Sequence, residues 1–344
     1  MNAFERDWAG LLPELVHIIA RNVIDIFDFI RFRAVCKTWR SVTTIADLSP
    51  QFPWLLSPSH GRPDLQFYSI AFNKSFAIHA PKFANKTFFH PCRGSMLVLL
   101  GQHYTSLINP LSDTEIPLPI LRAESAYDPW VGSQNFQSGD YVVFRGFGTK
   151  FHVFKPGDNK WIDMEVDYGS TYFHWNKFIV IMDACVTKVI DLSTNETVFV
   201  VPPPWNAYKW SASKIMFTLW SPHFLIESSG EVLLVTYLDK RFEIYRLEIG
   251  NDKGDPLWVE VTSIGDRMLF LDFQNDFGDF SIRAGDFGGL NLKGNCIYSI
   301  RVKDQLKCPS CYAVERYDIE AATTEYIHLH MGDITWYRPA LDHT

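Results

Sequence analysis

Near residue 50 the sequence changes its hydrophobic period. Before that point apolar residues recur every three or four positions, the spacing of one helix face. Beyond it, short apolar runs alternate with polar turns, the pattern of strands. No long helical period returns. A chain of 344 residues is long enough for two domains. The break predicts a small helical one followed by a large β one.

In the helical part, Leu12, Leu15, Ile19 and Val23 share one face. Pro13 suits a first helical turn, where its missing N–H has no intrahelical partner to lose. Asp25 precedes Ile26, Phe29 and Ile30, and Asp28 sits in the same first turn, where the macrodipole favours an acid. Val35, Trp39 and Val42 mark a third helix. Three short helices make a unit too small to bury all of these side chains. Part of the apolar surface is therefore expected to meet a partner. The next stretch, residues 49–63, carries Pro50, Pro53, Pro58 and Pro63 and reads as a semi-rigid linker.

After Pro63, strands are expected at Met96–Leu100, Tyr141–Phe144, Phe151–Phe154, Phe178–Met182, Val186–Asp191, Val232–Tyr237, Phe242–Leu247, Met268–Leu271, Cys296–Ile300 and Tyr312–Tyr317. The 27 Phe, 14 Tyr and 11 Trp support this, because aromatic side chains favour strands. A faint unit of strand, polar turn and strand recurs, as in 105–119, 151–166, 187–204, 242–261 and 312–329. Propeller blades repeat at roughly 40–50 residues. The expected fold is thus a multidomain α+β chain, a three-helix unit at 8–48 ahead of an all-β propeller at 64–340 with six blades. A sandwich or a pair of barrels is the competing architecture.

The net charge of −7 argues against nucleic acid as a partner, since phosphate contacts need clustered Lys and Arg. No apolar run is long enough for a membrane span. Acids near the N-terminus, Glu5 and Asp7, together with Pro13, break any secretory apolar region. Cys36, Cys92, Cys185, Cys296, Cys308 and Cys311 are few and mostly far apart, unlike a disulfide framework. The expectation is a reduced cytoplasmic or nuclear protein.

The ordered set Leu12-Pro13-Glu14-Leu15, Ile18-Ile19, Asp28-Phe29-Ile30, Arg33, Val35-Cys36-Lys37 and Trp39-Arg40-Ser41 resembles an F-box. Val23 stands where a leucine is usual, and Phe29-Ile30 replaces paired leucines. The remainder resembles the kelch-like propeller region of a large plant F-box family, long catalogued as a domain of unknown function. Leu107-Ile108-Asn109-Pro110 with Ile116-Pro117-Leu118-Pro119 carries one match. Leu269-Phe270-Leu271, Ser281-Ile282 and Asn295-Cys296-Ile297-Tyr298 carry the other. Asp272 departs from the glycine usual there, and Met96 stands near a common tryptophan. The resemblance implies a substrate receptor of an SCF-type ubiquitin ligase. Its F-box would dock the adaptor subunit, and through it the cullin scaffold, while the propeller holds an unidentified target protein. It implies no catalytic residue, no cofactor and no metal.

On that reading Leu12, Pro13, Leu15, Ile19, Val35, Cys36 and Trp39 form the adaptor-binding surface; the alternative is that they are merely a three-helix core. Arg31, Arg33, Lys37 and Arg40 are either a solvated face or a steering patch for an acidic adaptor. Cys308-Pro-Ser-Cys311 falls on an expected hairpin loop and reads as two incidental thiols, with zinc binding or disulfide exchange as alternatives; no second pair is present to complete a zinc site. Four Asp-Phe pairs, at 272, 276, 279 and 286, fit no calcium loop and read as Phe inward and Asp outward. The glycines of 285–294 do not follow a strand and open a helix, so they make no phosphate cradle. Trp205, Trp210 and Trp220 are candidates for inter-blade filling or for a ligand site. Two other function classes stay open: a propeller hydrolase with a channel metal, and an adaptor-bound regulator that ubiquitylates nothing.

Overall fold

The computed structural model describes residues 7–57, 63–84, 87–92, 96–100, 105–119, 130–132, 143–155, 157–169, 171–175, 178–183, 186–191, 193–194, 196–204, 223–238, 240–249, 255–273, 279–304 and 308–340. The N-terminal unit has three helices, α1 (Pro13–Arg21), α2 (Ile26–Ala34) and α3 (Lys37–Val42). Each start has a local cause. Pro13 opens α1. The Asp25 carboxylate accepts the amides of Phe27 and Asp28 at 2.8 and 3.1 Å, which satisfies two otherwise orphaned donors. Cys36 Sγ accepts the Trp39 amide at the head of α3. The expected register of the three helices holds.

The rest is β. A first sheet contains β1 (Trp54–Ser57), β2 (Asp64–Ser69) and β3 (Lys74–His79). A second contains β4 (Thr87–Cys92), β5 (Met96–Leu100), β6 (Thr105–Ile108) and β7 (Glu115–Leu118). Then come β8 (Trp130–Gly132), β9 (Val143–Phe154) and β10 (Ile162–Gly169), followed by β11 (Thr171–Trp175), β12 (Phe178–Asp183), β13 (Val186–Asp191) and β14 (Thr197–Val201). The fifth sheet is β15 (His223–Ser228), β16 (Glu231–Leu238), β17 (Arg241–Glu248) and β18 (Leu257–Glu260). The sixth runs β20 (Phe280–Arg283), β19 (Arg267–Asp272), β21 (Cys296–Asp304), β22 (Cys308–Asp318) and β23 (Thr323–Met331) in spatial order. Last, β24 (Thr335–Tyr337) returns to pair with β1.

Neighbouring sheets meet through their leading strands. β4 contacts β8, β8 contacts β11, β11 contacts β15, and β15 contacts β20; β24 lies against both β4 and β19. Antiparallel hairpins dominate, because short polar turns can join only antiparallel neighbours. The exception is β19 with β21, a parallel pair. β20 and the crossing segment 284–295 intervene between them. Trp336 anchors β24 from the inside: its indole N–H donates to the Leu271 carbonyl at 2.9 Å, and its ring meets Phe270 edge-on.

Three expectations need correction. Residues 49–63 are not simply a linker. Within them Phe52 is a buried core residue and Trp54–Ser57 is strand β1. Composition alone reads these prolines as a spacer, because it does not show that the apolar residues between Pro50 and Pro58 are packed. Secondly, the two strands expected at 141–144 and 151–154 are parts of the single strand β9 from Val143 onward. Thirdly, Asp272 and Asp279 do not point outward. Both are buried, and the Asp279 carboxylate accepts the Asp272 amide at 2.9 Å. A carboxylate can lie inside when it satisfies a backbone donor; strand alternation carries no information about such a turn.

Candidate functional site

The helical unit leaves a set of large apolar side chains uncovered. Leu12 is 63% exposed, Ile18 57% and Val35 59%, and Leu15, Ile19 and Ile30 are also exposed. Pro13 is exposed beside them. They come from the start and outer face of α1, from α2 and from the turn between α2 and α3. A soluble monomer scatters exposed apolar residues singly. Here they gather in about 25 residues of sequence, on a unit too small to hide them.

The opposite side of the unit is committed to the β body. Ile26 lies in one apolar cluster with Trp54, Leu56, Leu65 and Phe67. Phe27 stacks on Trp54 at 5.8 Å and meets Phe76 edge-on at 4.9 Å. Gln51 bridges the two units with its side-chain amide: Oε1 accepts the Ile26 amide, and Nε2 donates to the carbonyls of Ile24 and Ser49. A cleft of about 440 Å³ remains in this seam, between Arg21, Ile24 and Asp47 on one wall and Asp286 and Leu290 on the other. The exposed patch is left uncovered by the body that holds the unit.

Trp39 and Cys36 stand apart from the other sequence candidates. Trp39 is only 8% exposed. Its ring packs on Phe32 at 4.5 Å, and its indole N–H donates to the Trp8 carbonyl at 3.0 Å. Cys36 is half-buried as the cap of α3. Trp39 ties α3 to α2 and to the segment ahead of α1, and Cys36 caps α3. Ile18 and Ile30 take their place on the open surface. The sequence motif contains both, but spacing alone does not say which apolar position of a small helical unit turns outward.

Electrostatics around the patch are local. Arg31 pairs with Asp28 at 2.7 Å on the surface. Arg33 lies over the Phe29 ring at 6.0 Å, and its Nε is buried without a hydrogen-bond partner among the described residues. Lys37 and Arg40 are exposed. Behind α1, Asp47 is buried and gathers His17, Arg21 and the Thr44 amide at 3.0–3.1 Å. Burial by itself raises its pKa. The Thr44 amide, Arg21 and His17 together outweigh that and hold the carboxyl below its ordinary value.

The sequence from residue 67 to residue 331 matches the KIB1-4 beta-propeller profile. The chain belongs to the KIB1-4 beta-propeller family. Curated plant proteins are similar over most of the chain. The F-box protein SKIP23 of Arabidopsis thaliana is 24% identical, with 81% of each chain covered. The F-box/kelch-repeat protein At1g57790 of the same plant is 24% identical over 77% of this chain and 76% of its own. The putative F-box protein At5g66830, also from Arabidopsis, is 23% identical over 90% of this chain and 84% of its own. Among solved structures, apo AztD from Citrobacter koseri is 11% identical with a TM-score of 0.36, covering 82% of each chain.

Elsewhere in this KIB1-4 family member the other sequence candidates resolve differently. Cys308-Pro-Ser-Cys311 begins strand β22 instead of sitting on a loop, and Cys311 is in a disulfide. That departs from the expectation of incidental reduced thiols. Burial pushes the Cys296 thiol up to about 12, so it is protonated and unreactive at neutral pH. Gly289 and Gly294 serve packing: a Cβ on the first would meet Ile24 at 2.8 Å, and one on the second the Asp266 backbone at 2.7 Å. Among the described residues no group of three His, Cys, Asp or Glu side chains is placed to hold a metal, and no helix is long and apolar enough to cross a membrane. Trp205, Trp210 and Trp220 lie outside the described residues, as does the Asp276-Phe277 pair.

Proposed function

We propose that this chain is a substrate receptor of an SCF-type ubiquitin ligase. The exposed apolar patch of the F-box carries the reading: Leu12, Leu15, Ile18, Ile19, Ile30 and Val35 are arranged to pack on the helices of an adaptor subunit, and through it to join a cullin scaffold. The kinship with Arabidopsis F-box proteins supports it. The six sheets are read as six blades, closed into a ring by β24 on β1. That ring holds a target protein, and the seam around Phe27 and Gln51 fixes its orientation relative to the docked adaptor. The chain performs no bond chemistry. Its contribution is proximity, which raises the effective concentration of target lysines at the ubiquitin-carrying enzyme. Such a receptor works in the cytoplasm or nucleus.

The test is co-purification with a recombinant adaptor. Leu12→Ala/Pro13→Ala removes exposed atoms only, so the fold should survive. Adaptor recovery is expected to fall at least about tenfold, the equivalent of 1.4 kcal/mol, with an unchanged thermal transition. Equal recovery from both proteins would contradict docking through this patch.

A further inference from the structure

Two arginines bridge the fifth and sixth sheets, one at each end of the strands. Arg267, at the start of β19, is held on two of its nitrogens, Nε included. Its Nε donates to the Ile264 carbonyl at 2.7 Å, and Nη1 reaches Glu231 at 2.6 Å and the Ser228 carbonyl at 3.3 Å. This end of the sheets is the F-box side, because the segment 284–295 that leads into β21 lies there, with Gly289 against Ile24. Arg301 sits five residues along β21 from Cys296, about 16 Å away at strand rise. It therefore lies toward the opposite face.

Arg301 is held differently. Its guanidinium carbon is 4.0 Å from the Tyr237 ring centroid and 4.8 Å from that of Phe273. Nη1 donates to the Tyr237 hydroxyl at 2.6 Å and approaches Glu315 at 3.5 Å. Nε and Nη2 make no hydrogen bond among the described residues, and the side chain keeps 28% of its surface in water. Those two nitrogens form one edge of the planar guanidinium, a fork that matches the two oxygens of a carboxylate. Tyr237, Phe242 and Phe273 are all half-buried around it. Arginine with partly exposed aromatics is the composition of interface hot spots. Stacking and the Tyr237 hydroxyl fix the plane beforehand, so little rotamer freedom is left to lose on binding.

We infer that Arg301, framed by Tyr237 and Phe273, is an anchor for the target protein, and that it takes an Asp or Glu side chain of an exposed acidic segment by a two-pronged hydrogen bond. The inference names a contact of the receptor reading above and rests on it. Glu315, on the other edge of the guanidinium, keeps the site near neutral when empty. A bare phosphate would meet that carboxylate with two charges, whereas a carboxylate meets it with one.

The experiment uses the full chain bound to its adaptor and an array of 15-residue peptides. Each peptide carries one Asp or Glu among apolar residues and is matched to copies with Asn or Gln, with phosphoserine and with Lys. Retention on the acidic set is expected to exceed the amide set at least about tenfold. Arg301→Gln should abolish the preference, and Arg301→Lys should also lose most of it, since an ammonium keeps the charge and not the fork. Arg283→Gln, an exposed arginine at the F-box end, should leave it intact. Equal retention of the acidic and amide sets by the unaltered chain would overturn the inference. So would a preference for phosphoserine or Lys, or a preference that survives in Arg301→Gln. Adaptor co-purification is scored in the same samples. Its loss would count against the receptor reading, and its persistence without acid preference against the Arg301 anchor alone.

Discussion

At the scale of single residues, the helical unit divides into side chains that hold it and side chains it offers. Trp39 belongs to the first kind. Trp39→Ala should destabilise the helical unit by about 3–5 kcal/mol, the usual cost of emptying a large aromatic site. Adaptor binding would then fail together with helix content in circular dichroism. Leu12→Ala should fail to bind with stability unchanged within about 0.5 kcal/mol. If Trp39→Ala kept its helices and lost only the adaptor, the tryptophan would be a contact residue after all. Asp47 adds a pH dependence. Its folded pKa lies below the ordinary 3.8, so the stability it contributes is complete above that value and is lost as pH falls through the lower folded one. Acid unfolding of α1 and α3 should therefore begin below about pH 4, and Asp47→Asn should flatten it while lowering stability at pH 7 by about 1–3 kcal/mol. An Asn variant with the same acid profile would remove Asp47 from the account.

At the scale of elements, β24 carries more than its three residues suggest. It pairs with β1 and inserts Trp336 between the first and sixth sheets, fully buried. Strand β1 alone would leave an open edge, which is a template for pairing with other chains. Removing residues 333–344 should produce an aggregation-prone protein, and Trp336→Ala should cost about 3–5 kcal/mol. Chemical denaturation, with aggregation followed by light scattering, would read both. A truncated chain that stays monomeric with an unaltered midpoint would contradict this role. Strand identity was legible beforehand because β13, β16 and β17 have apolar runs bounded by clear turn residues. The parallel pairing of β19 with β21 was not, since a crossing of irregular chain leaves no period to read. The same holds for the buried Asp272 and Asp279, whose partners are set by a turn that strand alternation does not describe.

At the scale of the whole molecule, the helical unit and the β body share a core. Ile26 and Phe27 pack among Trp54, Phe67 and Phe76, so neither side can lose its fold without exposing the other. A single calorimetric transition is expected for the intact chain, and Ile26→Ala/Phe27→Ala should separate it into two. Two transitions in the unaltered protein would mean that the units are merely tethered. The one-dimensional pattern by itself determined that a helical part precedes a β part, because local period and turn chemistry act between near neighbours; the family-level reading came from motif resemblance, which is also carried by the sequence alone. Which apolar residues remain outside, where residues 49–63 go and what surrounds Arg301 were decided only in three dimensions. Burial and stacking there depend on segments brought together from distant parts of the chain, and no local pattern encodes which of two faces a neighbour will cover.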